Sequence, residues 1–355
     1  MSGTSLDGAD AVVADFSAAP PRVLAFASEP YPADLRAELL ALNGAGDNEI
    51  ERSHLAANRL AHVYSRAAKA AMQVASVDTG QIAAIGCHGQ TVRHRPDLHF
   101  TVQLNNPALL AELTNCDVIA DFRSRDIAAG GQGAPLVPAF HDGVFRHADE
   151  TRVVANIGGI ANLTILAPNQ PASGFDCGPG NCLMDAWIAT HHGKAHDENG
   201  AWAAQGQVLP GLLQRLLSEA YFQSAAPKST GRDLFNPAWL ASRLDANDRP
   251  QDVQATLLAL TAQTIVDHIG RHAPAAMRIL ICGGGANNQA LMNAIAKRFR
   301  NGAVERTDAY GVPARQVEAL AFAWLAMRAE TRQPVDMAAT TGAVHPCILG
   351  AIYPA

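Results

Sequence analysis

The chain has 355 residues, 48% of them hydrophobic and 17% charged, with a formal net charge of −6. That length fits two domains better than one and supplies a sizeable core. An acidic balance with no basic stretch excludes a broad nucleic-acid or anionic-lipid surface, while local donors and Mg²⁺ can still hold nucleotide phosphates. The six cysteines form neither a CxxC pair nor a zinc spacing, which points to a reducing compartment. With no signal-peptide pattern and no long apolar run in the sequence, the expectation is a cytoplasmic protein with no membrane span.

In chain order, MSGTSLDG opens the sequence as a glycine-bearing loop, and residues 11–16 and 23–27 read as strands around AAPPR. Leu55, Leu60, Val63, Ala67 and Ala71 fall on one helical face. Strand 82–86 leads into CHGQT, placing His88 and Gln90 at a strand's C-terminal end, where α/β ligands bind. Strand 118–121 leads into DFRSRD, and the Gly/Pro-rich stretch 130–138 reads as a linker or cleft loop near a domain crossing. Strands 153–157 and 163–166 flank Gly158-Gly159, a hairpin turn. GFDCGPGNCLMDAW reads as a tight loop carrying Asp176, then a helix capped by Asn181. Val253, Leu257, Leu260, Ile265 and Ile269 mark a second helix, 279–282 a strand, and Val317, Leu320, Ala321, Trp324 and Leu325 a third helix. Strands mixed with helices in two halves of similar plan give an α/β fold.

Three loops draw attention: 2–8 (SGTSLDG), 156–159 (NIGG) and 281–288 (ICGGGANN). Glycine lets backbone N–H groups approach phosphate oxygens. Thr4 and Ser5 add hydroxyl donors, and Asp7 can hold Mg²⁺. Gly283-Gly284-Gly285 can pack on a flat adenine or ribose ahead of a helix N-terminus that favours anions. Each loop alone is an ordinary turn; together they favour a nucleotide. Neither GxxxxGK[ST] nor GxGxxG occurs, which disfavours a P-loop NTPase and a Rossmann dehydrogenase.

The polar clusters leave alternatives. Asp176 is either a general base in an apolar loop or an acceptor for backbone donors of the turn. Arg123 and Arg125 either clamp a carboxylate or phosphate or pair with Asp121 and Asp126. Lys228, Ser229, Thr230 and Arg232 surround a glycine in a cleft loop or a helix N-cap region. Glu318 lies among apolar residues and needs a partner. His191, His192 and His196 lack a carboxylate or cysteine at ligand spacing and read as coincidence among 13 histidines.

MSGTSLDG, GCHGQTVRH, ADFRSRDIAAGGQGAPLVPAFH, NIGGIANL, FDCGPGNCLMDAW, PKSTGRDLFN, DVQATLLALT, CGGGANN and LGAIYPA resemble the anhydro-N-acetylmuramic acid kinase family, in order and over nearly the whole chain. The resemblance implies the sugar kinase/Hsp70/actin-like (ribonuclease H-like) fold, with a nucleotide cleft between two α/β domains. Residues 1–125 would form the first domain and 126–335 the second, with 336–355 returning to the first. It implies ATP- and Mg²⁺-dependent conversion of 1,6-anhydro-N-acetylmuramic acid, a small sugar, to N-acetylmuramic acid 6-phosphate in cell-wall recycling, by a cytoplasmic homodimer. By position, Gly3, Thr4, Ser5, Leu6, Asp7, Gly8, Ala9 and Asp10 match the first phosphate loop. Asn156, Gly158 and Gly159 match the second phosphate loop, Gly283, Gly284 and Gly285 the adenosine loop, and Asp176 the catalytic base. His88, Gln90, Arg125 and Glu318 are the expected sugar contacts. In the family a strand precedes the first loop, whereas this sequence starts at the loop's Met. The expectation is therefore a sheet short of one strand, with reduced stability and weak ATP binding. Two rival readings are a non-catalytic ATP-binding module and an ATP-independent anhydro-sugar hydrolase pairing Asp176 with Asp185.

Overall fold

The computed structural model describes residues 1–3, 6–226 and 228–355. Thr4 and Ser5 of the opening loop lie outside the described residues. The chain divides into two units: Met1–Val144 with Gln316–Ala355, and Phe145–Arg315. The expected boundaries at 125 and 335 therefore shift, and residues 126–144 and the helix bearing Glu318 belong to unit 1. One cause is Asp126, which is fully buried in unit 1. Its carboxylate accepts from Gly133 N at 2.7 Å and from Thr341 Oγ1 at 2.7 Å, tying the 130–138 loop to the C-terminal segment.

Strands are numbered in chain order. In unit 1, β1 (Gly8–Asp15) and β2 (Arg22–Pro30) form an antiparallel hairpin with a register shift at Val13/Ala14. β3 (Ile85–Cys87) runs parallel to β6 (Val118–Ala120). A second hairpin joins β4 (Gln90–Arg95) to β5 (Phe100–Leu104). The last strand, β12 (Ala351–Tyr353), pairs antiparallel with β6. The Glu49–Ala75 helix turns Leu60, Val63, Ala67 and Ala71 inward at the expected spacing, whereas Leu55 is 57% exposed and the neighbouring Ala56 is the buried residue of that turn. The Val317–Glu330 helix approaches β3 closely because residue 86 is glycine. A Cβ there would sit 2.5 Å from Phe322 O and 2.9 Å from Ala326 Cβ.

Unit 2 carries one five-stranded sheet ordered β11-β10-β7-β8-β9. Its strands are β7 (Arg152–Ile157), β8 (Ile160–Leu166), β9 (Ser173–Pro179), β10 (Arg278–Cys282) and β11 (Ala303–Arg306). β10 is parallel to both neighbours, and β7, β8 and β9 form an antiparallel meander. Gly158-Gly159 makes the β7–β8 turn. The Pro250–His272 helix buries 15 of its 23 residues, so it runs inside unit 2 rather than along its surface.

Two expectations fail locally. Asp176 sits in β9, paired with Asn162, not in a loop. The segment's glycines, acid and proline hide a strand, and it forms because β8 offers an edge to pair with. Asn181 stands at the start of the Cys182–His192 helix but makes no side-chain cap; its Nδ2 donates to Ile157 O at 3.2 Å instead.

Replacing Asp126 by Ala leaves Gly133 N and Thr341 Oγ1 without their buried acceptor. A loss of about 2–4 kcal/mol in urea unfolding is expected, and a change below about 0.5 kcal/mol would remove Asp126 as the tie.

Candidate functional site

In unit 2 the backbone does most of the assembly. The turn carbonyls accept three amides from the segment after β9: Asn181 N to Gly158 O at 2.8 Å, Gly180 N to Gly159 O at 2.9 Å, and Cys182 N to Gly159 O at 3.1 Å. The buried Thr261 hydroxyl reaches Pro179 O and Gly180 O at 3.0 and 2.9 Å and holds the same segment from the inner helix. The 283–285 loop joins this assembly through packing. Gly283 has φ +79°, and a Cβ on it would lie 2.7 Å from Ile157 O. A Cβ on Gly285 would overlap the Ile157 side chain. Gly283 and Gly285 are therefore glycine because β7 lies against them.

Gly158, Gly159 and Gly284 are different. A Cβ at any of them would meet nothing closer than 3.6 Å, so each leaves room beside its backbone, although Gly158 N already donates to Ile160 O at 3.2 Å. At Gly159 the nearest neighbour is the exposed Arg232 guanidinium, with two nitrogens 3.7–3.8 Å from that Cβ position. A cation beside two accessible glycines suits an anion. Arg232 was legible only as one polar residue of a cleft loop; its placement comes from the fold. The Gln289–Arg298 helix is less suited to an anion, because Asn288 Oδ1 already accepts from Leu291 N at 3.0 Å.

Asp176 is held at both ends. Its amide donates to Lys228 O at 3.0 Å, its carbonyl accepts from Tyr221 Oη at 2.7 Å, and its Oδ2 accepts from Thr230 N at 3.0 Å. Burial pushes its carboxyl up to about 6, with Thr230 N–H opposing. Lys228 secures the loop: Nζ donates to Tyr221 O at 2.9 Å and contacts His268 Nε2 at 2.9 Å. Burial lowers His268 to about 4, so its ring is neutral. Nδ1 then donates to Thr264 O at 2.7 Å and Nε2 accepts from the lysine. Asp185 lies half-buried one turn into the Cys182–His192 helix.

Unit 1 gathers most of the other expected residues. Gln90 Nε2 donates to Gly3 O at 3.2 Å, and Gln90 Oε1 accepts from Tyr31 Oη at 3.4 Å. His88 is 4% exposed and uses both ring nitrogens. Nδ1 meets Gly89 O at 2.7 Å, and Nε2 accepts from Arg123 Nε and its terminal nitrogen at 3.0 and 2.8 Å. Burial and the Arg123 charge hold His88 well below the ordinary histidine range. Arg123 also donates to Gly133 O at 2.7 Å; burial lowers it to about 10, while Glu318 and Asp126 favour its charge. Arg125 is not part of this group. It is exposed and lines a separate open cavity with Asp121, Ser124, Arg332 and His345. Of the two arginines in DFRSRD, Arg123 is the one that reaches His88.

In the first loop, Leu6 is buried with φ +57°, and Gly8, Ala9 and Asp10 belong to β1. Asp7 O accepts from Tyr31 N at 3.1 Å. The Asp7 carboxylate is exposed and 3.8 Å from Arg36. Among the described residues no group of three His, Cys, Asp or Glu could hold a metal by itself. One exposed carboxylate still suits Mg²⁺, which takes much of its shell from water and substrate phosphates.

The family description "Anhydro-N-acetylmuramic acid kinase" matches residues 1–355. A protein of that name from Cupriavidus metallidurans is 54% identical over 365 residues, covering 100% of this chain and 96% of the relative. One from Bordetella parapertussis is 56% identical over 360 residues, covering 100% and 95%. One from Cupriavidus pinatubonensis is 53% identical over 363 residues, covering 100% and 97%. With the whole length matched and more than half the residues shared, the chain belongs to the anhydro-N-acetylmuramic acid kinase family.

Proposed function

We propose that this chain uses ATP to convert 1,6-anhydro-N-acetylmuramic acid to N-acetylmuramic acid 6-phosphate and ADP. The family match across residues 1–355 carries the reading. In the anhydro sugar O6 is bonded to C1, so no free hydroxyl exists there to phosphorylate. Water adds to C1, the C1–O6 bond breaks, and O6 takes the γ-phosphoryl group as the bond to ADP breaks. Asp176 accepts the proton from water. A carboxyl raised to about 6 is ionised at neutral pH yet basic enough to take that proton. Lys228 and Thr230 fix the loop against Asp176 and so position the base.

Gly158, Gly159 and Arg232 receive nucleotide phosphates and Gly284 packs on the adenosine, with Asn156, Gly283 and Gly285 shaping the seat from behind. Gly3 and the 4–10 segment supply the first phosphate loop, in which Asp7 would hold Mg²⁺ with the phosphates. Bound Mg²⁺ supplies charge neutralisation of the transferring phosphoryl group. Glu318 contacts the sugar, whereas His88 and Gln90, buried and hydrogen-bonded, act as positioning residues. The working compartment is the cytoplasm, in keeping with six buried cysteines that form neither a CxxC pair nor a zinc spacing. An ATP-independent hydrolase is not favoured, since the relatives are named as kinases.

The test is sugar-dependent ADP release from ATP and Mg²⁺. Asp176→Asn is expected to lower turnover by about 10²–10⁴-fold. The wild-type rate should fall as pH drops through about 6. Stability separates a base from a structural acceptor. The folded carboxyl titrates above its ordinary 3.8, so the native state holds the extra proton and loses stability as pH rises from about 4 to about 6. Asp176→Asn should therefore gain on the order of 1–2 kcal/mol at pH 7 and nothing near pH 4. A variant destabilised at pH 7 would make Asp176 a structural acceptor.

The glycines give a second expectation. Gly284→Val has room for its Cβ, so the melting temperature should hold while KM for ATP rises roughly tenfold or more. Gly283→Ala should instead destabilise, because of its positive φ and its contact with Ile157 O. An unchanged KM in Gly284→Val would remove this loop from the nucleotide seat.

A further inference from the structure

We propose that His268, on the inner helix of unit 2, is a positioning residue for the reaction: through Lys228 it holds Thr230 N–H on the Asp176 carboxylate. The inference rests on the proposed role of Asp176 as the base. His268 is 1% exposed on the Pro250–His272 helix. Its ring packs on Phe175 at 5.8 Å, and Phe175 also meets His272 at 4.6 Å. Phe175 and Asp176 are successive residues of β9, and successive side chains of a strand point to opposite faces. Asp176 therefore turns away from the helix that carries His268. β9 is the outermost strand of its sheet, and the histidine and the acid are joined around its outer edge.

Lys228 makes that join. Its backbone carbonyl accepts from Asp176 N at 3.0 Å, while its ammonium reaches Tyr221 O and His268 Nε2, each at 2.9 Å. The ammonium also lies 4.5 Å from the centre of the Tyr221 ring, and Tyr221 Oη donates to Asp176 O at 2.7 Å. Two residues beyond Lys228, Thr230 N donates to Asp176 Oδ2 at 3.0 Å. Arg271, three residues after His268 on the same helix face, donates to Phe222 O at 2.9 Å and holds the neighbouring turn. Among the described residues no carboxylate pairs with Lys228. Its charge is anchored by a carbonyl, a ring and one neutral imidazole, and of these only the imidazole belongs to the inner helix. A lysine on a flexible stem loses its fixed place when an acceptor is withdrawn. Thr230 N–H then leaves the carboxylate, and the carboxyl becomes still harder to ionise. The titratable neighbours of Asp176 are Cys177 and Tyr221, both pushed up by burial and neutral at pH 7. Those of His268 are Lys228, Arg271 and His272.

The test follows the Asp176 carboxyl of the full chain by carbon NMR through a pH titration, its signal identified by loss in Asp176→Asn. In His268→Leu the carboxyl pKa should rise from about 6 by roughly half a pH unit or more. The same variant should lower kcat for sugar-dependent ADP release roughly 10–100-fold, with KM for ATP held within about twofold. His268→Gln, which offers Lys228 an oxygen acceptor, should bring both readings most of the way back. Lys228→Met should reproduce the leucine variant, and the double variant should add little to either. A folded leucine variant with the parental carboxyl pKa overturns the proposal, and so do additive effects in the double variant. Should the leucine variant not fold, Lys228→Met decides, and an unmoved carboxyl there overturns the proposal. The titration needs no substrate. Carboxyl shifts as expected in a protein without sugar-dependent ADP release would therefore count against the proposed reaction and not against this coupling.

Discussion

Two backbone segments converge on the Gly158–Gly159 turn and the strand end before it, and the rest of unit 2 is arranged to allow it. The turn's two carbonyls take amides from Gly180, Asn181 and Cys182. The 283–285 loop reaches the same strand end only because glycines at 283 and 285 leave room for Ile157. Parallel pairing of β10 with β7 sets these loops side by side at the strands' C-terminal ends. β9 and its following helix come in from the other edge. A cluster built from main-chain bonds is stiff without large side chains, and it leaves room beside Gly159 and Gly284. Asp176 stands on the outermost strand of this sheet, its loop braced by a neutral histidine and a lysine.

In unit 1, burial decides protonation, and protonation decides the hydrogen-bond network. His88 must be neutral because Arg123 donates to its Nε2. Arg123 keeps its charge because Glu318 and Asp126 offset desolvation. The result is a chain of fixed hydrogen bonds running from the Gly89 carbonyl through His88 and Arg123 to the Gly133 carbonyl. Such a chain has little freedom to rearrange when a ligand arrives, which suits orientation more than proton transfer.

Much of this architecture was readable from pattern alone. The short apolar runs flanking Gly158-Gly159 stand out against their turn, and the helical stripes at 253–269 and 317–325 announce themselves by period. β9 does not, because Gly-Phe-Asp-Cys-Gly-Pro has the composition of a turn and becomes a strand only against β8. The β4–β5 hairpin was missed because its Arg- and His-rich strands show no clean apolar alternation. Asn181 has the residue type of a cap, yet Ile157 O lies nearer to its use.

The family and the α/β class are legible in the chain alone, because long motif blocks and hydrophobic periods are local properties. Only the tertiary structure decided which residues of those blocks work together. Arg123 rather than Arg125 meets His88, Arg232 stands beside Gly159, and Gly284 rather than Gly283 is open. The elevation of Asp176 is likewise tertiary, since it comes from desolvation by groups distant in sequence. Burial, edge pairing and close backbone approach are set by segments far apart along the chain, and no local pattern contains them.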